Sequence, residues 1–183
     1  MAIDFRNIKK LSIGGVELKS LAINGVQVWK SFTNMIRESI NSDGTQYVGN
    51  KGEDGYKFNA RLDTAGAEVA VTSDVGVTGF ISVKKGDVLY FKNVQLHPTA
   101  TGGKNELTLI GFYLSDFTSK ACSKLTQLKN FSYIAKVLTT YADTGFVKSL
   151  EIVDTYNYGI KYIRFSCAFL DDTAIVTVNE PID

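Results

Sequence analysis

Leu-Ser-Ile-Gly-Gly-Val-Glu-Leu-Lys-Ser (Leu11 to Ser20) is followed at once by Leu-Ala-Ile-Asn-Gly-Val-Gln-Val-Trp-Lys (Leu21 to Lys30). Each decapeptide reads as a short strand of alternating apolar residues, a two-residue turn and a second alternating strand. Gly14-Gly15 and Asn24-Gly25 suit those turns, because a type I′ hairpin needs positive φ at both central residues. In this register Ile13 pairs with Val16 and Leu11 with Leu18; then Ile23 pairs with Val26 and Leu21 with Val28. The shared strand, Val16 to Ile23, changes parity, since Val16 and Leu18 are even-numbered whereas Leu21 and Ile23 are odd. Side chains alternate faces along a strand, so the two hairpins bury opposite faces unless a bulge sits near Lys19-Ser20. A pair of hairpins cannot bury enough surface to offset its own ordering. Leu11, Ile13, Val16, Leu18, Leu21, Ile23, Val26, Val28 and Trp29 are therefore the expected interface with sister chains or a larger assembly. For Trp29, the only tryptophan, packing on the chain's own larger domain is the other reading.

The remainder has the composition of a packed domain: of 183 residues, 44% are apolar and 21% charged. Sixteen glycines and two prolines mark a chain turned mainly by Gly, Asn and Asp between short strands. Strand patterns recur over 56–62, 68–72, 78–83, 88–94, 106–114, 131–138, 146–152, 161–169 and 174–178. One helix is expected over Asp116 to Leu128, where Phe117, Ala121, Leu125 and Leu128 follow helical spacing. A shorter one over Met35 to Ile40 would be capped by Thr33 or Asn34. Strands without βα alternation predict an all-β chain. The expected architecture is an N-terminal β-hairpin segment (1–33) followed by an antiparallel, jelly-roll-like β-sandwich (34–183) with one short helix.

Charge narrows the partners. The formal net charge is +1 and the lysines form no stripe, which predicts no nucleic-acid or membrane-surface partner. No apolar run is long enough to span a bilayer, and Met1 to Lys10 lacks the apolar stretch of a signal peptide, so synthesis in a cytoplasm is expected. Cys122 and Cys167 are far apart in sequence; Cys167 shares the parity of Ile163 and Phe165 and is read as a buried thiol.

Catalytic signatures are sparse. His97 is the only histidine and precedes Pro98 in a loop-like stretch, with no nucleophile elbow anywhere in the chain. One histidine and two distant cysteines do not make a zinc site, and Gly102-Gly103-Lys104 lacks the rest of a phosphate loop. The acidic pairs Glu53-Asp54 and Asp171-Asp172 fall in loops, where they serve turns or join carbonyls around Ca²⁺ more naturally than they form a glycosidase pair. The expectation is a non-enzymatic protein with no cofactor, no metal and no catalytic residue.

Aromatic residues carry more. Phe80, Phe91, Phe112, Phe165 and Phe169 sit at core parity. Tyr47, Tyr56, Tyr113, Tyr156 and Tyr158 fall near strand ends or in loops, where a tyrosine can stack on a sugar ring. They are the candidate glycan contacts; partly buried tyrosines closing a sandwich edge are the other reading.

The segment from Ile13 to Trp29 resembles hairpin segments of virion proteins from tailed bacteriophages. The larger part resembles a module of phage tail and fibre proteins from viruses of Firmicutes and related gut bacteria. Its marks are Gly55-Tyr56-Lys57 with Arg61-Leu62, Thr78 through Asp87, Tyr162-Ile163-Arg164-Phe165-Ser166 and Ile175 through Glu180. The resemblance implies a virion structural component with a carbohydrate-binding-module-like sandwich, in homo-oligomers, with trimers favoured. Other virion proteins and a bacterial surface glycan would be its partners, and lysis would release it. Tail, baseplate and capsid surface stay open as locations, and a cell-surface or secreted carbohydrate-binding module is the alternative.

Overall fold

A computed structural model of the chain describes residues 11–13, 16–18, 20–23, 26–30, 33–52, 55–72, 75–94, 109–124, 131–140, 147–168 and 173–182. The chain divides into two compact units, Met1–Thr33 and Asn34–Asp183.

The first unit holds β1 (Leu11–Ile13), β2 (Val16–Leu18), β3 (Ser20–Ile23) and β4 (Val26–Lys30). β1 pairs with β2 through Leu11↔Leu18 and Ile13↔Val16, and β3 with β4 through Ile23↔Val26. Two details correct the sequence reading. The expected single strand from Val16 to Ile23 is two strands, β2 and β3, in separate two-stranded sheets. Leu21 also lies opposite Trp29 rather than Val28, because the register shifts between Leu21 and Ala22. Ala22 pairs with Gln27, so Val28 is the extra residue of a bulge. The side chains of the nine candidate interface residues lie outside the described residues.

The second unit contains β5 (Tyr56–Phe58), β6 (Ala60–Leu62), β7 (Glu68–Ala70), β8 (Val75–Thr78), β9 (Ile81–Ser82), β10 (Val88–Lys92), β11 (Leu109–Tyr113), β12 (Ser119–Ser123), β13 (Ala135–Thr140), β14 (Val147–Ile152), β15 (Tyr162–Ala168) and β16 (Ile175–Val178). A four-stranded antiparallel sheet runs β13-β14-β10-β16. A six-stranded sheet runs β12-β11-β15-β8-β5, with β9 also on β15. The chain changes between these two sheets on passing from β9 to β10, β10 to β11, β12 to β13, β14 to β15 and β15 to β16. The fold is an all-β sandwich.

The core between the sheets is continuous. Leu89, Phe91, Leu150, Ile152 and Val176 from the four-stranded sheet pack with Ile110, Phe112, Ile163, Phe165 and Cys167 from the six-stranded one. Phe91 meets Phe165 edge to face across the layer, with ring centroids 6.0 Å apart. Asn34 ties the start of this unit to its end: its amide donates to Ala174 O (2.7 Å), and its Oδ1 accepts from Val176 N (3.1 Å).

Both expected helices give way to other structure. Asp116 Oδ1 accepts from Thr118 N at 3.0 Å and from Thr118 Oγ1 at 2.6 Å, which closes a tight turn. Phe117 then adopts φ 65°, a left-handed conformation that no α-helix interior allows. The chain reverses into β12 along β11, so the expected helix over Asp116 to Leu128 becomes a hairpin, at least as far as the described residue Lys124. Met35 to Ile40 forms successive turns, with Arg37 N donating to Asn34 O and Ser39 N to Ile36 O. Among the described residues no helix is long and apolar enough to cross a membrane.

A left-handed residue also divides the strand expected over Tyr56 to Leu62. Asn59, at φ 53°, ends β5 and lets β6 leave the sheet. Paired with β7, β6 lies over the outer face of the six-stranded sheet, where Ala60 and Leu62 pack with Val77 and Leu109 in a second, smaller apolar cluster.

Candidate functional site

The five candidate tyrosines separate into two groups. Tyr56 belongs to the main core and meets Phe58 edge to face. Tyr113, 2% exposed, lies against Gly111, where an added Cβ would come 2.5 Å from its hydroxyl. Its hydroxyl donates to Gly66 O at 2.7 Å, in the turn of the β6–β7 hairpin. Tyr47 packs over Gly79 in the same way and donates to Glu68 Oε2 at 2.9 Å. Those three rings are engaged inside the protein. Tyr156 and Tyr158 stand outside, 65% and 38% exposed.

Tyr47 belongs to a charged network on the outer face of the six-stranded sheet. Arg164 projects from β15 with its Nε on Thr78 O (2.8 Å) and an Nη on Glu68 Oε2 (2.6 Å). Its guanidinium lies 4.8 Å from the Phe80 ring centroid and 5.5 Å from that of Tyr47. Lys57 adds a bond to Glu68 Oε1 at 3.0 Å. Burial alone would raise the Glu68 pKa, but the bonds from Arg164, Lys57 and Tyr47 outweigh it and hold the carboxyl below the ordinary glutamate value. Burial, with the Glu68 charge beside it, pushes the Tyr47 hydroxyl well above the usual phenol range. Such groups are locked in one protonation state near neutrality, which suits fastening two layers together better than exchanging protons.

Cysteine chemistry is likewise subdued. Cys167 is a core thiol, and burial pushes the Cys122 thiol up to about 12, so its nucleophilic thiolate form is disfavoured. Among the described residues no three His, Cys, Asp or Glu side chains group together as metal ligands would. His97, Glu53-Asp54 and Asp171-Asp172 lie outside the described residues.

The exposed site is built on the segment 153–160. Asp154, 3% exposed at φ 34°, turns its carboxylate inward. Oδ1 accepts from Tyr158 N (2.9 Å), and Oδ2 accepts from Gly159 N (2.9 Å) and Ile160 N (3.2 Å). Asn157 at φ 54° and Gly159 at φ 80° supply the left-handed backbone such a tight loop needs. Val153 N and Asp154 N both donate to Ile134 O, and Thr155 N donates to Tyr133 O. Those bonds bring in Tyr133, which the sequence reading missed.

Tyr133, Tyr156 and Tyr158 form a triangle. Centroid distances are 5.5 Å for Tyr133–Tyr156, 6.0 Å for Tyr133–Tyr158 and 5.8 Å for Tyr156–Tyr158. The three rings stand at 45–69° to one another, so they make corners rather than a stack. Lys120 from β12 places its Nζ 3.9 Å from the Tyr158 centroid. Lys85 Nζ donates to Asn157 Oδ1 at 2.9 Å. The one signal available in sequence was the Tyr156-Asn157-Tyr158-Gly159 spacing, with two aromatics flanking a turn residue. The chain matches no protein-family model, no curated protein and no solved structure.

Proposed function

We propose that this chain is a non-enzymatic structural component of a bacteriophage virion, a tail, fibre or capsid-surface protein. Leu11 to Lys30 docks on the particle or on sister chains, with a trimer favoured, and the sandwich faces outward toward host-surface glycans. The division into Met1–Thr33 and Asn34–Asp183 carries this reading. Two-stranded ladders are marginal in water by themselves, whereas the sandwich has its own core and closes on itself through Asn34 and β16. A small unit in need of a partner beside a self-sufficient one is the anatomy of an attachment protein. The resemblance of Ile13–Trp29 to phage hairpin segments supplies the kind of particle.

Particle assembly with a chain lacking residues 1–33 tests it. The expected result is loss of incorporation while the remaining sandwich keeps its native spectrum; incorporation equal to that of the full chain overturns the docking half. The exposed Tyr156 and Tyr158, set on the partly buried Tyr133, favour a second reading, a secreted or cell-surface carbohydrate-binding module. That reading predicts a monomer in solution that binds glycan and joins no particle.

A further inference from the structure

We infer that the surface formed by Tyr133, Tyr156 and Tyr158 with Lys120 and Lys85 binds an acidic saccharide. The inference rests on the reading of the sandwich as the outward, glycan-facing unit and names the chemical class of its ligand.

The rings come first. Exposed large apolar groups are informative when they cluster, and two of the four described among them, Tyr156 and Tyr158, adjoin each other here. The backbone that carries them is fixed from below by the three amides on Asp154 and by Thr155 N on Tyr133 O, so little loop ordering is left to be done when a ligand arrives. Rings meeting at 45–69° offer one face for stacking and the rim of a neighbour alongside. A pyranose presents the matching shape, with an axial C–H face for the ring and equatorial hydroxyls for the rims and for the Asn157 amide. An aliphatic groove would suit a peptide helix instead; three hydroxyl-rimmed rings do not make one.

Charge supplies the class. Both cations are placed by contacts with the loop itself: Lys120 over the Tyr158 ring and Lys85 on Asn157. Of the acids in the neighbouring segments, Asp154 and Asp87 are turned inward, and the exposed Asp116 has its Oδ1 engaged by Thr118 N and Oγ1. Asp154 is occupied by backbone amides, and the buried Asp87 accepts from Lys84 N at 2.9 Å and from the Asn179 amide at 2.8 Å. The loop therefore presents ammonium groups beside an aromatic corner with its own carboxylates withdrawn, which is complementary to a sugar bearing a carboxylate.

Titration of the full chain with tetragalacturonate, against maltotetraose as the neutral probe, decides it. At low salt the acidic probe should bind about fivefold more tightly, and the preference should shrink between about 50 mM and about 500 mM salt. Tyr156→Ala should weaken both probes about tenfold. Lys120→Gln should weaken the acidic probe about threefold more than it weakens the neutral one. Equal, salt-insensitive binding of the two probes overturns the inference. So does unchanged binding by Tyr156→Ala, binding of a single-stranded oligonucleotide but neither sugar, or no binding by a chain with a native amide spectrum. Particle incorporation is a separate readout, so a failed glycan titration leaves the docking half of the functional reading standing and failed docking leaves the saccharide site standing.

Discussion

The two sheets of the sandwich are made of similar residues and live in different surroundings. The four-stranded sheet has one face in the core and one that is only partly covered. On β10, Leu89 and Phe91 are buried in the core, Val88 and Tyr90 are half-buried and Lys92 is exposed, although Ser149 and Thr177 beside Tyr90 are buried. The six-stranded sheet is covered twice, by its partner sheet on one face and by the β6–β7 hairpin with Tyr47 on the other. Every position of β8 and β11 is buried as a result. Single coverage requires only that side chains alternate. Double coverage requires that any polar group on the second face find a partner inside the protein. Arg164 and Ser166 both do: Arg164 on Thr78 O and Glu68, and Ser166 Oγ accepting from Leu62 N.

The sharpest way to break this contrast is to remove a cation from each sheet. Arg164→Ala strands Thr78 O and removes the strongest partner of Glu68, and should lower unfolding free energy by about 3 kcal/mol in urea titration. Lys136→Ala, at an exposed position of β13, should change it by less than about 0.5 kcal/mol. Comparable losses from the two would mean that the second cover contributes nothing. A smaller effect tests the cover alone. Tyr113→Phe leaves the ring in place but removes the donor to Gly66 O, and should cost about 1 kcal/mol, with faster amide exchange in the β6–β7 turn ahead of the core strands.

The smallest effect is in pH dependence. Glu68 is held below its ordinary value of 4.5, so in mild acid the unfolded chain takes up a proton that the folded chain refuses. Its contribution is complete above the unfolded-chain value and drains away as pH falls through the folded one. Glu68→Gln should therefore give a shallower fall in stability on the acid side, measured as melting temperature against pH. An unchanged slope would place the acid sensitivity elsewhere.

Much of this was legible in sequence, for local reasons. Strand patterns and turn residues marked most of the sandwich strands within a few positions, because alternation and Gly/Asn turns are properties of neighbours; β8 went unmarked and β12 was expected as helix. Double coverage was less legible: Leu109 to Tyr113 reads as a continuous apolar run whether both faces are covered by protein or the segment is a buried helix. The run Asp116 to Leu128 misled because helical spacing survived in its apolar residues, while the Asp116–Thr118 turn and the positive φ of Phe117 decided the outcome. For the candidate site, Tyr156 and Tyr158 could be named from their own loop. Tyr133 could not, since only the carbonyls of Tyr133 and Ile134, some twenty positions upstream in the chain, bring it there. Tyr47 and Tyr113 looked like surface residues because the glycines that admit their rings, Gly79 and Gly111, lie on other parts of the backbone or give no hint of what fills the space.

Asp154 has a consequence for how this surface could change over generations. Asp154, Asn157 and Gly159 carry the conformation of the loop, through a buried carboxylate and two left-handed backbones, while Thr155, Tyr156 and Tyr158 carry only what is shown to the outside. The two duties fall on different, interleaved positions. A lineage could exchange the outward three residues, and with them the recognised molecule, while inheriting the same scaffold intact.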